Sequence, residues 1–260
     1  MPFYIFYTTA TNTTLQLLNK APLLILIGAI VPFVTFLLAP IFIKLLKVQP
    51  PQQPSFAFCL MYANTGFLGI PICSLLFGSE GAFYAVMYNF GTTLIILSFG
   101  VWTLSGGGKN TLRNLLVNPL IWSMLAGILI AISGIHLPEW VLNPLTTIGN
   151  STLPIALLVA GAQIGNIPLE KNGYTPMVIF VTFSRLMLLP GILLLVFFLL
   201  GWHDTDHQVM VLQAAMPVGI ASTILANRYQ ADGHFAAIAT VWTTLLALIS
   251  LPLIAFLFFS

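Results

Sequence analysis

The chain has 260 residues, of which 58% are hydrophobic and only 5% are charged, and its mean hydropathy is +1.01. Soluble globular proteins carry about 25% charged residues, so this composition excludes a soluble protein and predicts an all-α polytopic membrane protein. The formal net charge of +2 is too small and too scattered to indicate a nucleic-acid-binding protein.

Apolar runs of about 20 residues, the length needed to cross the hydrocarbon core, predict eight complete spans. Charged or Gly/Pro-rich breaks separate the runs. They lie near residues 21–46, 55–77, 81–104, 116–135, 139–164, 174–201, 208–228 and 234–259. Ahead of them, Met1–Ala10 is apolar and aromatic but only half a span long, so we expect it to be the end of a further helix.

The predicted loops differ strongly in basic charge. Loops on one side hold Lys44, Lys47, Lys109, Arg113, Lys171 and Arg228. The opposite loops hold only Lys20, so the positive-inside rule places the first set in the cytoplasm. The sequence therefore predicts a multi-pass protein of the inner (plasma) membrane with its C-terminus outside.

One predicted span is interrupted at Ala63–Pro71, where Gly66, Gly69 and Pro71 lie close together. Backbone groups left unpaired in hydrocarbon cost several kcal/mol each. An interruption at this depth therefore survives only where it is buried in protein or lines a cavity.

A second interruption, Met216–Ser222, contains Pro217 and Gly219 and lies in a corresponding position later in the chain. Matched interruptions in two halves of a chain indicate a transporter binding site. The alternative is that these Gly and Pro residues only kink two packed helices, which is common in membrane proteins.

Comparison of the chain with itself reveals an internal repeat at an offset of 152 residues. The offset lays Phe77–Ala85 over Tyr229–Ala237, and a shift by one residue lays Gly66 over Gly219. The charge assignment puts the two corresponding turns on opposite sides of the membrane, so the repeats are predicted to be inverted. The alternative is coincidence among apolar helices of similar composition.

The repeat divides the chain into predicted units. They are a remnant of the first repeat with half a helix and three spans (1–104, broken helix 55–77), a cytoplasmic linker (105–115), and a second repeat of five spans (116–260, broken helix 208–228).

The two repeats are expected to differ in length. Nearly the same offset lays Met1–Ile5 over Leu153–Leu157, whereas the span at 116–135 has no counterpart upstream. The first repeat is therefore expected to lack about one and a half helices, which predicts an N-terminal truncation.

Four features, in this order and spacing, cover essentially the whole chain. They are Asn64–Pro71 followed by Phe77-Gly78, Asn118-Pro119 at the start of a span, Leu153-Pro154 with Gly161-Ala162, and Ala215-Met216-Pro217 followed by Leu251-Pro252. With these features the sequence resembles the auxin efflux carriers, a family that includes bacterial malate/dicarboxylate permeases and plant auxin exporters.

This resemblance implies two inverted five-helix repeats with crossing broken helices, a fold like those of sodium/proton antiporters and bile acid symporters. It also implies secondary transport of small organic anions, either malate/dicarboxylate-like or auxin-like, by alternating access. A homodimer is a candidate assembly on the same ground. No cofactor is expected, and a proton or a sodium ion is a candidate coupling ion.

The predicted substrate site lies where the broken helices meet, because half-helix N-termini carry partial positive charge and free N–H groups that suit an anion. Asn64 and Thr65 add polar side chains, and Pro71 and Pro217 oppose a continuous helix. The predicted substrate-binding residues are Asn64, Thr65, Gly66, Gly69, Pro71, Pro217, Gly219, Ser222 and Arg185.

Arg185 is the only charged residue well inside a predicted span, which makes it a functional candidate. It has two alternative uses. The first is functional: it neutralises a substrate carboxylate or responds to the effect of a coupling proton on a partner. The second is structural: it donates to the exposed carbonyls of a broken helix or extends to the membrane interface. Three other polar residues, Asn150, Gln163 and Gln213, lie on helices near the proposed site and are expected to form interhelical hydrogen bonds; for Asn150 and Gln163 the alternative is that they line the cavity.

No Asp or Glu is predicted at mid-membrane depth, so no carboxylate is expected there that could relay a proton or form a catalytic pair. Neither a catalytic nor a metal site is predicted, and His203–His207 is expected to be a solvated outer turn. The alternatives to a transporter are a non-transporting fragment and an intramembrane enzyme.

Overall fold

The computed structural model of the protein describes residues 1–107, 116–135, 137–152, 154–155, 158–159, 161–162 and 176–259. Regular secondary structure in this part of the chain is helical, with one isolated β-bridge. Four helical stretches within it are long and apolar enough to cross a membrane, namely Gln16–Leu45, Thr65–Ser105, Pro176–Leu200 and Gly233–Phe256. The protein is therefore an all-α polytopic membrane protein, as its composition predicts.

The chain begins with two helices, α1 (Pro2–Asn12) and α2 (Leu15–Leu45). Pro2 lies in the first turn of α1, where a missing N–H costs nothing. The hydroxyl of Thr14 accepts from the N–H of Leu17 and caps α2. Helix α2 packs lengthwise against the later helix Ile70–Ile95.

The first broken helix begins with α3 (Gln53–Met61) and then loses helical geometry over Tyr62–Asn64. It resumes as one π-helical turn (Thr65–Gly69), which leads into α4 (Ile70–Ile95). The interruption therefore comes before Gly66, Gly69 and Pro71, which lie inside helical structure.

Pro71 is accommodated in the helix by the π-turn that precedes it. The N–H of Ile70 donates to the carbonyl of Thr65, five residues back, so the turn is one residue wider than an α-turn. The wider turn is compatible with the missing N–H of the proline that follows it. The prediction that Pro71 would break the helix was wrong for this reason.

The chain reverses direction at Gly78, whose φ of 66° and ψ of −152° are not helical. The Thr65 hydroxyl donates to Oδ1 of Asn89 at 2.8 Å, although 24 residues separate them. On one straight helix these residues would lie about 36 Å apart. Thr65–Ser105 is therefore two antiparallel segments rather than one long span, in agreement with the predicted spans 55–77 and 81–104.

The first half ends with a π-turn (Ile96–Gly100) and α5 (Val101–Ser105), and the next helices are α6 (Pro119–Ser133) and α7 (Glu139–Asn150). Asn118 caps α6 by accepting from the N–H of Leu120 at 2.8 Å. Most of the predicted linker 105–115 and the later part of the span 139–164 lie outside the described residues.

The remaining helices are α8 (Pro176–Phe183), a π-turn (Ser184–Leu188), α9 (Leu189–Leu200), α10 (Thr205–Ala214), α11 (Ala221–Arg228) and α12 (Gly233–Phe259). The chain is not helical between α10 and α11, so the second interruption falls at the predicted place. The π-turn at Ser184–Leu188 ends two residues before Pro190, just as the one at Thr65–Gly69 ends two residues before Pro71.

Glycines allow the closest contact between α2 and α4. A Cβ at Gly28 would overlap the carbonyl group of Tyr88, and one at Gly91 would overlap the backbone of Ile25. The Thr92 hydroxyl donates to the carbonyl of Gly28 across the same contact at 3.0 Å. Backbones this close bury polar groups against each other and hold the two helices in fixed register.

The segment His203–His207, which includes the first turn of α10, differs from its prediction. Asp206 is 2% exposed and His207 is 8% exposed, so they do not form a solvated loop. Nζ of Lys20, from α2, lies 2.9 Å from Asp206 and 3.2 Å from Asp204. This distant cation holds the turn against the body of the protein, which the local sequence could not indicate.

Candidate functional site

The two interrupted helices meet at their unwound segments. Ala63 and Val218 form an antiparallel β-bridge. The N–H of Asn64 donates to the carbonyl of Pro217 at 2.8 Å, and the N–H of Gly219 donates to the carbonyl of Tyr62 at 2.9 Å. The matched interruptions therefore form one structure, which we call the crossing: Tyr62–Asn64 together with Ala215–Ile220.

Close packing at the crossing depends on two glycines. A Cβ at Gly219 would lie within 2.4 Å of the ring of Tyr62, so the ring can stack only on a glycine. A Cβ at Gly69 would overlap the side-chain amide of Gln213 in the same way. The absence of side chains at these positions brings the second broken helix directly against the first.

Two half-helices begin at the crossing and two end there. The π-turn that leads into α4 begins at Thr65, and α11 begins at Ala221. Helix α3 ends at Met61, and α10 ends at Ala214. The first N–H groups and the last carbonyls of a helix have no intrahelical partner. The crossing therefore gathers positive and negative helix ends in the interior of the protein.

Arg185 donates to the ends of both broken helices. Its side chain is 1% exposed, and it lies in the π-turn between α8 and α9. Nη1 donates to the carbonyl of Leu60 at 3.2 Å, and Nη2 donates to the carbonyls of Met216 at 3.2 Å and Ala214 at 3.4 Å. The guanidinium thus occupies the second of its two predicted uses, binding the exposed carbonyls of broken helices.

Two further backbone groups of the crossing, the N–H of Val218 and the carbonyl of Asn64, have hydrogen-bond partners outside it. The hydroxyl of Thr243, on α12, accepts from the N–H of Val218 at 3.1 Å. Leu68 and Gly69 donate to the carbonyl of Asn64 at 3.3 Å and 3.0 Å. These bonds explain how unwound backbone survives at a depth where water is scarce.

Several buried polar side-chain atoms at the crossing have no hydrogen-bond partner among the described residues. They are Nδ2 of Asn64, both amide atoms of Gln213, Oγ of Ser222 and Nε of Arg185. A buried polar group without a partner costs about 1–3 kcal/mol, so each one calls for a physical explanation, such as a bound ligand, ion or water. Their concentration here supports the choice of this region as the candidate site.

The structure places the nine predicted site residues at different distances from the crossing. Asn64, Pro217 and Gly219 make its backbone hydrogen bonds, and Thr65 begins a half-helix beside them. A Cβ at Gly66 would contact Asn89, and Ser222 lies in the first turn of α11. Of the other three, Gly69 lies against the side chain of Gln213, and Pro71 lies two residues further along the same half-helix. Arg185 binds carbonyls at the C-terminal ends of the broken helices.

Sequence reasoning missed three residues of this region. Tyr62 contributes the carbonyl that Gly219 binds, Asn89 binds Thr65, and Thr243 binds Val218. A role for Asn89 could have been predicted from the sequence, since a carboxamide inside an apolar span needs a polar partner. Tyr62 acts through its backbone and its ring face, so its residue type gave no such signal.

A large cavity lies elsewhere, between α8, α9 and α12. It has a volume of about 830 Å³ and an almost wholly apolar lining that includes Val178, Phe183, Leu246 and Leu253. A smaller cavity of about 490 Å³ is lined by Trp202 and His207, among others. Its lining includes the hydroxyls of Thr182 and Ser250 but no charged side chain, so the crossing, with its helix N-termini, suits an anion better.

The cluster at the start of α10 is the one group of described residues with the composition of a metal site. Ligand atoms of Asp204, Asp206 and His207 lie within 4.8 Å of one another. The ammonium of Lys20 already binds both carboxylates. The cluster is therefore an ion-pair network in this conformation.

Burial lowers the pKa of His207 from its ordinary value of 6.5, and the carboxylates of Asp206 and Asp204 oppose this shift only in part. His207 packs between the rings of Phe197 and Trp202, whose centroids lie 5.1 Å and 5.0 Å from its own. A neutral imidazole suits this aromatic surrounding.

A family model described as "Membrane transport protein" matches residues 1–112 and 107–255 of the chain. An uncharacterized transporter of Methanothermobacter thermautotrophicus is 28% identical over 194 residues, which cover 73% of this chain and 63% of that protein. The uncharacterized transporter MJ1031 of Methanocaldococcus jannaschii is 22% identical over 261 residues, covering 97% of this chain and 84% of MJ1031.

The uncharacterized transporter YfdV of Escherichia coli K12 is 24% identical over 188 residues, covering 66% of this chain and 59% of YfdV. The chain thus spans less than two thirds of the length of the Methanothermobacter and E. coli relatives. The family match, by contrast, extends over nearly all of the 260 residues. The chain therefore belongs to the membrane transport protein family, the family of the auxin efflux carriers.

Proposed function

We propose that the protein is a secondary transporter that moves small organic anions across the inner membrane by alternating access around the crossing. The observation that carries this proposal is the backbone pairing of the two unwound segments, Asn64 with Pro217 and Gly219 with Tyr62. Broken helices that meet at mid-membrane form the substrate sites of several transporter folds.

The charge at the crossing favours an anion. Each helix C-terminus carries about −0.5 of an elementary charge, so the ends at Met61 and Ala214 together carry about −1, and Arg185 supplies the +1 that offsets them. The N-termini at Thr65 and Ala221 together carry about +1. Neither predicted broken helix contains Asp or Glu, so one negative charge on a substrate would complete the balance.

Arg185 has the role of a positioning residue in this proposal. Its bonds to Leu60, Ala214 and Met216 fix the ends of both broken helices relative to each other. Because the guanidinium is committed to these carbonyls, the anion would be held by helix N-termini and by the side chains of Asn64 and Ser222.

The inverted repeat is part of the proposal, since alternating access is then the exchange of two similar arrangements. One backbone feature supports it. Gly78 and Gln230, which the 152-residue offset superimposes, both have positive φ, of 66° and 57°. Positive φ is uncommon for a non-Gly residue such as Gln230, so composition alone does not account for this match. The residues paired with Met1–Ile5 lie largely outside the described part of the chain.

The proposed driving force is the membrane potential. A carboxylate that would carry a coupling proton is absent from both predicted broken helices. Movement of an anion therefore transfers net charge, worth about 2.3 kcal/mol per 100 mV. A coupling sodium ion would have to be coordinated by the uncharged oxygen atoms of the crossing. A homodimer with its C-termini outside remains the proposed assembly and orientation.

Uptake of labelled malate and of labelled indole-3-acetate into proteoliposomes, with a potential of either sign, tests the proposal. We expect saturable uptake of at least one of them, faster when the potential draws anions inward, and a large loss in the Asn64→Ala and Pro217→Ala variants. Uptake unchanged in both variants would remove these residues from the site. Uptake independent of the potential would contradict the driving force.

A further inference from the structure

Two of the cavities lie next to each other along the helix that runs from α8 through its π-turn into α9. The larger one, about 830 Å³, lies between this helix and α12, and the smaller one, about 490 Å³, lies between α9 and the start of α10. Gly191 and Leu194 line both of them. The two cavities therefore meet at Gly191 and form one groove, which we call the α9 groove.

The α9 groove opens on the outer surface of the helices and crosses most of the hydrocarbon depth. Phe183 and Ile249, on its two walls, are 55% and 64% exposed. Val178 and Leu194 lie near the ends of its larger part and are 16 residues apart on the helix, or about 24 Å. The hydrocarbon core is about 30 Å thick. The groove is thus long enough to hold an extended hydrocarbon chain.

The lining of the groove changes from apolar to polar along its length. The larger part has no charged side chain, and its few polar groups include the hydroxyls of Thr182 and Ser250. The smaller part is lined by polar and aromatic side chains as well as apolar ones, among them Trp202, His203 and Gln208. Tryptophan is enriched where the hydrocarbon core meets the headgroups. An apolar groove with one polar end at the interface matches the polarity of a membrane lipid.

The polar end of the groove carries a net negative charge. Asp204 and Asp206 supply two carboxylates beside His207, and Lys20 supplies one ammonium. Burial lowers the pKa of His207, so its imidazole is neutral at pH 7 and does not offset the remaining charge. The side chain of Asp204 is 72% exposed, and Trp202 adds an aromatic face, which attracts cations. This end of the groove favours a headgroup with a positive group.

A transmembrane helix from a second copy of the chain fits the groove poorly. A helix with its side chains is about 10–12 Å wide, so about 24 Å of helix occupies roughly 2,000 Å³. This volume is more than the two cavities provide together. A hydrocarbon chain is slender and flexible, and the bilayer around the protein supplies it.

We propose that the α9 groove binds a phospholipid with an ammonium headgroup, of the phosphatidylethanolamine type. One acyl chain lies against Met187 and Gly191, and the ammonium lies beside Asp204 at the polar end. Lipid tails are as apolar as the lining, so the chain gains van der Waals contacts rather than hydrophobic free energy. The headgroup therefore decides which lipid stays bound. An anionic lipid such as phosphatidylglycerol meets the net negative charge and binds more weakly.

Native mass spectrometry of the full chain in detergent, titrated with phosphatidylethanolamine or phosphatidylglycerol of the same acyl chains, tests the proposal. We expect one tightly bound lipid, with phosphatidylethanolamine preferred by about three- to fivefold, as one exposed ion pair provides. Asp204→Asn should reduce the preference to less than about twofold. Glu139→Gln, which neutralises an exposed carboxylate that lines neither cavity, should keep it.

Gly191→Trp tests the location of the lipid. An added Cβ at Gly191 meets no atom within 4 Å, so the indole enters the groove and should weaken binding of the lipid by about tenfold or more. Leu199→Trp is the matched control, since Leu199 is 73% exposed on the same helix and lines neither cavity. Gly191→Leu serves if the Trp variant does not fold, as judged by thermal unfolding in detergent.

Several results would overturn the proposal. The absence of a bound lipid, equal binding of the two lipids, or a preference unchanged in Asp204→Asn would contradict selection of the headgroup by this site. Undiminished lipid binding in a folded Gly191 variant would place the lipid elsewhere. A wild-type dimer that Gly191→Trp dissociates would show that a second copy of the chain covers the groove.

Discussion

The backbone N–H of Asn64 donates to the carbonyl of Pro217 at 2.8 Å, across 153 residues of sequence. Each of these residues lies where a helix has lost its own hydrogen bonds. The antiparallel bridge at Ala63 and Val218 thus replaces intrahelical bonds with bonds between the two segments. The unwound backbone is a paired structure, and Arg185 and Thr243 bind further backbone groups of it, the carbonyl of Met216 and the N–H of Val218.

The main effect of replacing Arg185 should be a loss of protein stability rather than a change in the substrate site. Arg185→Leu leaves three buried carbonyls without their donor, at about 1–3 kcal/mol for each such group. Arg185→Lys keeps the charge but loses the planar guanidinium that reaches several carbonyls, so it should be intermediate. The measurement is the thermal unfolding midpoint in detergent. A normal midpoint with a raised KM would instead identify Arg185 as a substrate ligand.

Gly219→Ala should destabilise the crossing by about 1–3 kcal/mol, because the new methyl overlaps the ring of Tyr62. Tyr62→Leu in the same chain should recover most of the loss, which a double-mutant cycle of unfolding free energies detects. Gly191→Ala is the matched control, since it has no atom within 4 Å of the added Cβ and should be neutral or slightly stabilising. Additive effects of the Gly219 and Tyr62 changes would contradict the contact.

The two carboxylates that bind Lys20 should differ in their contribution to stability. The side chain of Asp206 is 3% exposed and that of Asp204 is 72% exposed. Asp206→Asn should therefore lower the free energy of unfolding by roughly 2 kcal/mol, and Asp204→Asn by less than about 1 kcal/mol. Denaturant titration of both variants gives the comparison. Equal losses would show that the burial of Asp206 has no energetic effect.

Stability should fall as the pH drops below about 6.5, because burial lowers the pKa of His207 in the folded protein. The unfolded chain then binds a proton more readily than the folded chain. The contribution is fully present above the unfolded value of 6.5 and is lost as the pH falls toward the folded pKa, by at most about 1.4 kcal/mol per pH unit.

Thermal unfolding between pH 5.5 and 8 measures the contribution of His207, since ordinary carboxyl groups titrate near pH 4. His207→Gln should flatten the profile over this range. A wild-type profile that is already flat, or a variant with the same slope as the wild type, would contradict the assignment to His207.

Much of the crossing was predictable from the sequence. Pro217 and Gly219 located the second interruption, because a missing N–H and a missing side chain both have local effects. The first interruption was placed too late. A proline such as Pro71 can either break a helix or follow a π-turn, and the sequence around it does not decide between these two outcomes. A π-turn of the same kind, Ser184–Leu188, precedes Pro190, and the sequence analysis did not predict this turn.

The contacts made over long sequence distances were not predictable. Arg185 had two alternative uses, and only the positions of Leu60 and Met216 decide between them. The turn at His203–His207 was expected to be solvated because its sequence is polar, but Lys20, on another helix, buries Asp206. Gln213 was expected to bind a neighbouring helix and instead lies unpaired against Gly69. Partners of this kind depend on packing rather than on local pattern.

The most direct test of the central claim is the affinity of the anion for variants of the crossing. Isothermal titration in detergent would use whichever of malate and indole-3-acetate the wild type takes up. We predict that Asn64→Ala and Ser222→Ala each weaken binding by about tenfold, since each removes a buried polar partner. Ser250→Ala, which removes a hydroxyl from the apolar cavity, should bind as the wild type does. Wild-type affinity in both crossing variants would contradict the claim that the anion binds where the two broken helices meet.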